Sequence, residues 1–287
     1  MNVPWLPEGR TAILPGRGEV FFRLSRHADS SRPTVLLLHG WTASADTQFF
    51  AAYEAIAARY SIVAIDHRGH GRGMRDTFTL EDCADDAAAL LGQLGIEQVI
   101  AVGYSMGGPI AMLLTHRHPQ LVAALLVQAT AMEWSATRLE RFQWRFVGVF
   151  GVWMRSRWQR HTLRLVLRRL QHEQPKLETY LVWLEGEIVR TDALGLLQAG
   201  RALARYDARP FASGLGTPSA SLITTADRLV RPRKQRQLAE ALGAVVRELP
   251  ADHLAAIING EEYTALTLEL LGLLSASIAD SSTAVGS

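Results

Sequence analysis

Val99-Ile100-Ala101-Val102 runs without a break into Gly103-Tyr104-Ser105-Met106-Gly107-Gly108, and Pro109 to His116 then reads as a helix. A β-branched apolar run, a Gly-x-Ser-x-Gly turn and a helix, in that order, constrain this chain more than any other stretch. The turn forces Ser105 into a backbone conformation that a residue with a Cβ resists, and the strand and helix pass so closely that only hydrogen fits at positions 103 and 107. Both are glycine. The Ser105 hydroxyl is thereby lifted above the sheet and set at a helix N-terminus, where free N–H groups favour developing negative charge. This is a seat for a nucleophile, which needs a base and an orienting acid elsewhere in the chain.

The other periodic segments extend the same pattern. Thr11–Leu14 and Glu19–Leu24, split by Pro15-Gly16-Arg17-Gly18, predict an opening hairpin. Val35–Leu38 is a continuous apolar strand ending in His39-Gly40-Trp41-Thr42. A helix from about Asp46 to Arg59, a strand Ser61–Ile65 and the glycine-dense turn Asp66–Gly73 follow. Thr79-Leu80-Glu81-Asp82 resembles a capping box that opens a helix, which Gly95 closes. Leu121–Val127 is a further strand. After Thr217-Pro218 come a strand at Ala220–Thr224, a helix at Arg233–Leu242, a strand at Val245–Leu249 and mostly helix from Leu254 to Leu274. Strands alternating with helices imply an α/β fold with a mostly parallel, doubly wound sheet and active residues on loops at the strands' C-terminal ends.

Between Trp134 and Phe211 the alternation stops and only helical pattern remains. Residues 134–211 therefore read as a helical cap inserted into a core made of 1–133 and 212–275, with 276–287, small and polar, as a disordered tail. Trp134 to His172 holds nine Arg and one acid, a net charge of +8, which leaves the rest of the chain at −6. Arg157, Arg160, Arg164 and Arg168 share a helix face opposite apolar residues, so the cap offers a solvated surface, a docking face for anionic membrane or a funnel for acidic substrates. The glycines of Gly148–Gly151 suit a hinge. With no reading module in the chain, nucleic acid is not an expected partner.

Composition narrows the remaining choices. With 48% hydrophobic and 20% charged residues the chain is of ordinary globular make-up, and no apolar run approaches the roughly 20 residues that span a bilayer. Met1–Arg10 lacks the basic start and apolar stretch of a secretory signal, so a cytoplasmic location is expected. Cys83 is the single cysteine, sits at helical spacing among Leu80, Ala87 and Leu91, and reads as core. No His pair has zinc-type spacing with a third ligand, so neither a metal nor another cofactor is expected.

An acid and a base complete the nucleophile's requirements. Thr225-Ala226-Asp227 follows one predicted strand and Pro250-Ala251-Asp252-His253 follows another, giving the order Ser105, Asp227, His253. Asp252 is too near His253 in sequence to reach the far ring nitrogen and reads as a cap; Asp207 reads as structural. His39, His67 and His70 lie in turns and read as loop-orienting residues. His27, His116, His118, His161 and His172 read as surface or helix positions.

Taken together, the His39-Gly40 turn, Asp66-x-Arg68-Gly69-His70-Gly71, the Gly103–Gly108 elbow, Asp227-Arg228-Leu229-Val230 and Asp252-His253 resemble the α/β-hydrolase superfamily over nearly all the chain except the cap. The resemblance implies a Ser105–His253–Asp227 triad and an oxyanion hole formed by the backbone N–H groups of Trp41 and Met106. Bulky Trp41 after Gly40 departs from the Gly-rich loop of many lipases and narrows the acyl side. The function implied is a serine hydrolase, most simply one that cleaves a carboxylic ester of an apolar acyl or aryl group through an acyl-enzyme. Carbon–carbon bond hydrolases, perhydrolases and acyltransferases share the pattern. Relatives with an Asp nucleophile, such as dehalogenases and epoxide hydrolases, fit poorly because position 105 is Ser. A non-catalytic binding protein would be expected to have lost a triad member, and none is lost. Trp134, Trp144, Trp153, Trp158 and Trp183, with Phe142, Phe146 and Phe150, suggest an apolar cavity for a small-molecule substrate.

Overall fold

The computed structural model describes residues 2–144 and 175–285. The Gly148–Gly151 hinge, Arg157, Arg160, Arg164, Arg168, His161, His172, Trp153, Trp158, Phe146 and Phe150 lie outside the described residues. Eight strands form one sheet among the described residues: β1 (Glu8–Leu14), β2 (Gly18–Ser25), β3 (Thr34–Leu38), β4 (Ser61–Ile65), β5 (Val99–Tyr104), β6 (Val122–Gln128), β7 (Ser219–Thr224) and β8 (Val245–Leu249). Their spatial order is β1-β2-β4-β3-β5-β6-β7-β8. The β1–β2 and β2–β4 pairings are antiparallel and the rest parallel. The fold is that of an α/β hydrolase, and β3 and β5, adjacent at its centre, deliver the His39-Gly40 turn and the elbow side by side.

The continuous apolar runs are explained by burial on both faces. In β3, Leu36 and Leu38 enter one core cluster while Val35 and Leu37 enter the other. In β5, Val99 and Ala101 face the first, and Ile100, Val102 and Tyr104 the second. A period of two thus divides one apolar string between two helical layers. The first layer includes α3 (Leu80–Gln93) and α4 (Gly107–Arg117), the second α1 (Ala45–Phe49) and α2 (Tyr53–Ala57). The Thr79 hydroxyl caps α3 by accepting from Asp82 N–H at 2.9 Å.

Two sequence expectations are corrected. The helix expected over Asp46–Arg59 is broken into α1 and α2. Phe49 and Tyr53 face the sheet-side core while Phe50, between them, turns to Trp183 in an edge-to-face contact at 5.5 Å. Of the stretch expected to be a disordered tail, residues 276–285 continue the last helix instead, which runs Gly260–Val285, and 286–287 lie outside the described residues. Ile278 packs against the same core as Leu270, Leu271 and Leu274, extending their stripe by one more turn, and Ala and Ser offer no steric objection to helix.

The described part of 134–211 holds α5 (Arg138–Trp144), α6 (Leu181–Ile188) and α7 (Ala193–Arg205). The chain leaves the core and returns to it at one place, where Glu133 and Asp207 form an isolated β-bridge and Ala208 N–H donates to Met132 O at 2.8 Å. The returning half is fastened to the turn after β4. The Gly69 and Gly195 backbones touch so closely that a Cβ on either would overlap the other. Asp192 N–H donates to Gly69 O at 2.9 Å and Arg72 pairs with the buried Glu187 at 2.7 Å. No helix among the described residues is long and apolar enough to cross a membrane.

Candidate active site

β5 ends at Tyr104, Ser105 takes a φ of 52°, and α4 begins at Gly107. Such a φ is uncommon for a residue with a Cβ and is held only where the surroundings over-determine it. They do so here. Ser105 N–H donates to Gln128 O at 2.9 Å, while Ser105 O accepts from Gly108 N–H at 2.9 Å and from the Thr130 hydroxyl at 2.7 Å. A Cβ on Gly103 would overlap the Gly107 carbonyl, and one on Gly107 the Leu38 carbonyl. The spacing of the two glycines therefore follows from the closeness of the strands and helix.

The residues singled out as base and acid meet at this serine. His253 Nε2 lies 2.9 Å from Ser105 Oγ, and His253 Nδ1 lies 2.7 Å from Asp227 Oδ2. Because an ionised carboxylate only accepts, the proton sits on Nδ1 and Nε2 is left to accept from the serine hydroxyl. Asp227 is buried and saturated. Its Oδ1 accepts from Leu229 and Val230 N–H at 2.8 Å each, and Oδ2 from Thr224 Oγ1 at 2.8 Å and Gln235 Nε2 at 3.1 Å. Asp252 accepts instead from His253 and Arg228 N–H, at 2.7 and 3.1 Å, and so shapes the loop that presents the histidine. Asp207 is exposed and paired with Arg209.

Several positioning groups had no signal in the sequence. Tyr104 Oη donates to His253 O at 2.7 Å, so the residue before Ser105 grips the loop that bears His253. Tyr263 Oη donates to Gln128 Oε1 at 2.7 Å and Gln128 Nε2 to Thr267 Oγ1 at 2.9 Å, fixing the strand end that receives Ser105 N–H. Gln235, buried on α8 (Pro232–Ala241), also donates to Val230 O at 2.7 Å and accepts from Thr224 N–H at 3.0 Å. Gln235→Leu strands these groups and is expected to cost about 1–3 kcal/mol in urea unfolding at neutral pH; an unchanged midpoint would refute this role.

The turn before Trp41 abuts Ser105, since a Cβ built on Gly40 would lie 3.3 Å from Ser105 Cβ. Ala43 N–H donates to Gly40 O at 3.3 Å and Thr42 adopts a φ of 67°, so this turn is itself strained at a β-branched residue. The Trp41 indole donates to Leu196 O at 2.9 Å, tying the turn to α7. Its ring meets Trp144 at 5.8 Å, and Trp144 meets Trp134 at 6.3 Å and donates to Trp134 O at 2.7 Å. An aromatic wall thus links the turn to α5. Trp183 belongs to a separate contact with Phe50, and Phe142 is exposed.

Beneath the turn, His39, His67 and His70 form a buried cluster with His39–His67 centroids 4.3 Å apart. His39 Nε2 accepts from His67 N–H at 3.0 Å, so its proton is on Nδ1, which donates to Gly40 O at 2.8 Å. His39 is therefore a brace for the turn at Gly40. Burial pushes His67 down to about 3 and His70 to about 4, and holds His39 well below the usual range. Next to them burial pushes the Asp66 carboxyl up to about 7, against the N–H bonds it accepts from Arg72 and Ala45. No group of three His, Cys, Asp or Glu side chains placed to hold a metal ion occurs among the described residues.

The comparisons with known proteins agree with this architecture. An enol-lactonase from Burkholderia xenovorans LB400 superposes with a TM-score of 0.76 at 23% identity, covering 92% of this chain and 100% of that one. The esterase EaEST from Exiguobacterium antarcticum gives a TM-score of 0.79 at 18% identity over 92% and 100%. At these identities the likeness concerns the fold. In sequence, epoxide hydrolase B of Mycobacterium tuberculosis is 30% identical over 102 residues, 34% of this chain and 29% of its own length. The chain spans about a third of the length of the curated relatives it matches. A family model described as alpha/beta hydrolase fold matches residues 33–259, which include the His39-Gly40 turn, the Gly103–Gly108 turn, Asp227 and His253. With that match covering most of its length, the chain belongs to the α/β-hydrolase family.

Proposed function

We propose that the protein is a serine hydrolase that cleaves carboxylic esters with an apolar acyl or aryl group through an acyl-enzyme. The observation that carries this reading is the hydrogen-bonded line Ser105 Oγ, His253, Asp227, at 2.9 and 2.7 Å, with Ser105 held at a positive φ. His253 Nε2 removes the hydroxyl proton as Ser105 Oγ attacks the ester carbonyl, and Asp227 stabilises the imidazolium that results. The backbone N–H groups of Trp41 and Met106 receive the developing oxyanion. Collapse expels the alcohol, protonated by His253, and water activated by the same histidine then releases the acid. Ser105 in place of a carboxylate argues against epoxide opening, despite the sequence likeness to epoxide hydrolase B. The aromatic wall of Trp41, Trp144 and Trp134 supports an apolar acyl or aryl partner.

The test is a screen of aryl and alkyl esters of graded chain length with a β-diketone and a thioester alongside. Turnover of esters, its loss in Ser105→Ala and labelling of Ser105 alone by a fluorophosphonate are expected. Preferential cleavage of the β-diketone or thioester would replace ester hydrolysis, and full activity in Ser105→Ala would remove the serine mechanism.

A further inference from the structure

A cavity of about 340 Å³ opens between the segment leading into α3 and one face of α7. None of its lining residues belongs to the Ser105–His253–Asp227 line or to the Gly40 turn. Phe78 and Leu80 form one wall, and Ala202 with the ring of Tyr206 the other, so most of what it presents to a ligand is apolar. The walls are fixed to each other, because Phe78 N–H donates to the side chain of Gln198 on α7 at 3.0 Å.

Three polar features give the cavity a chemistry. Arg201 and Arg205, one turn apart on α7, line it and are both exposed, and neither guanidinium has a hydrogen bond or ion pair with a described residue. Two unpaired guanidiniums at this spacing suit a carboxylate, whose two oxygens match their donor geometry. Tyr206 is 8% exposed, and its hydroxyl, enclosed beside the cavity, has no hydrogen-bond partner among the described residues, although a buried phenol is ordinarily satisfied. Glu81 also lines the space. One carboxylate against two guanidiniums leaves a net charge of +1, which suits a monoanion better than a dianion.

We propose that this cavity binds a small aromatic monocarboxylate carrying one polar substituent. Its ring packs between Phe78, Leu80 and Ala202, its carboxylate is held by Arg201 and Arg205, and its substituent meets the unsatisfied Tyr206 hydroxyl. The site stands apart from the hydrolytic reading and does not depend on it.

The probe is 4-hydroxyphenylacetate, titrated calorimetrically into the full chain and located by hydrogen–deuterium exchange. Phenylacetate, 4-hydroxyphenylacetamide and inorganic phosphate serve as comparisons, and circular dichroism confirms that each variant is folded. Expected are binding with protection at residues 77–81 and 198–206, at least tenfold weaker binding of the amide and of the acid by Arg201→Gln/Arg205→Gln, and little binding of phosphate. The hydroxyl's advantage over phenylacetate should vanish in Tyr206→Phe, and Glu81→Gln should tighten the acid by removing a like charge. The proposal is overturned by an absence of binding, by equal affinity for acid and amide, by an unaffected arginine double variant, or by protection confined to the loops bearing Ser105 and His253. Weaker binding of the acid in Glu81→Gln would also overturn it, since Glu81 would then help to hold the ligand instead of repelling its carboxylate.

Discussion

Asp227→Asn is expected to leave the fold intact and lower ester turnover by about 10⁴-fold. The carboxylate now accepts from His253 Nδ1–H, which fixes Nε2 as the acceptor facing Ser105. An amide that turns its NH₂ toward Nδ1 selects the opposite tautomer and puts a proton where the base is needed. Substrate binding should change little, so the loss falls on kcat rather than KM. Asp252→Asn and Asp207→Asn should each cost far less, because Asp252 shapes a loop through backbone bonds and Asp207 pairs with an exposed arginine. Steady-state kinetics on the three variants decide the matter, and a crippled Asp252→Asn beside an active Asp227→Asn would reassign the acid.

A second large effect is expected in stability against pH. His39, His67 and His70 stay neutral in the folded protein to well below the usual imidazole range, whereas in the unfolded chain they charge near 6.5. A lowered folded pKa contributes stability that is present above the unfolded value and lost as pH falls toward the folded one. Asp66 acts in the opposite sense, since its folded value of about 7 lies above the 3.8 of an ordinary aspartate. Its contribution is complete at low pH and is lost as pH rises through 7. Between about pH 4 and 6.5 the unfolded state therefore binds three protons that the native state refuses, and lacks one that the native state holds. The net of two corresponds to roughly 2.7 kcal/mol lost per unit of acidification in mid-window, and from these four groups stability is still rising at pH 6.5 and levels off only near about pH 8, where the remaining imidazole gain and the Asp66 loss cancel. Urea unfolding from pH 8 to 4.5 measures the slope. His67→Leu, which removes an imidazole with no partner on either ring nitrogen among the described residues, should lower it by about one proton's worth. A flat profile from pH 6.5 to 5 would show that these imidazoles are not held neutral.

What the sequence made legible was chemistry tied to backbone geometry. Gly103 and Gly107 announce the elbow because no other residue fits there, and Asp227 and His253 stand out because each follows a β-rich run at a loop. Gln235 was invisible for the opposite reason. A glutamine on an otherwise polar helix start carries no periodic signal, and only the tertiary fold brings it to Thr224 and Asp227. Tyr104 was hidden similarly, since its hydroxyl reaches a carbonyl 149 residues away in the chain. The last helix was misread beyond Leu274 because small polar composition suits both a frayed end and a helix. Ile278 decided between them by burial that local composition does not report.

The bridge between Glu133 and Asp207 has an architectural consequence. A segment whose two ends are already paired leaves the sheet indifferent to the length of what lies between them, much as a hairpin tolerates exchange of its loop. Indifference is not uniform, however, because α7 is fused to the turn after β4 through Gly69 and Gly195, and to Trp41 through Leu196 O. The described residues before 191 are tied as well, since Trp144 meets Trp41, Trp183 meets Phe50 and Glu187 pairs with Arg72. Grafts from other members of the fold should therefore be accepted when they keep these contacts. Those that lose Gly195, Leu196 or Trp144 should disturb the Trp41 turn even though they never touch Ser105.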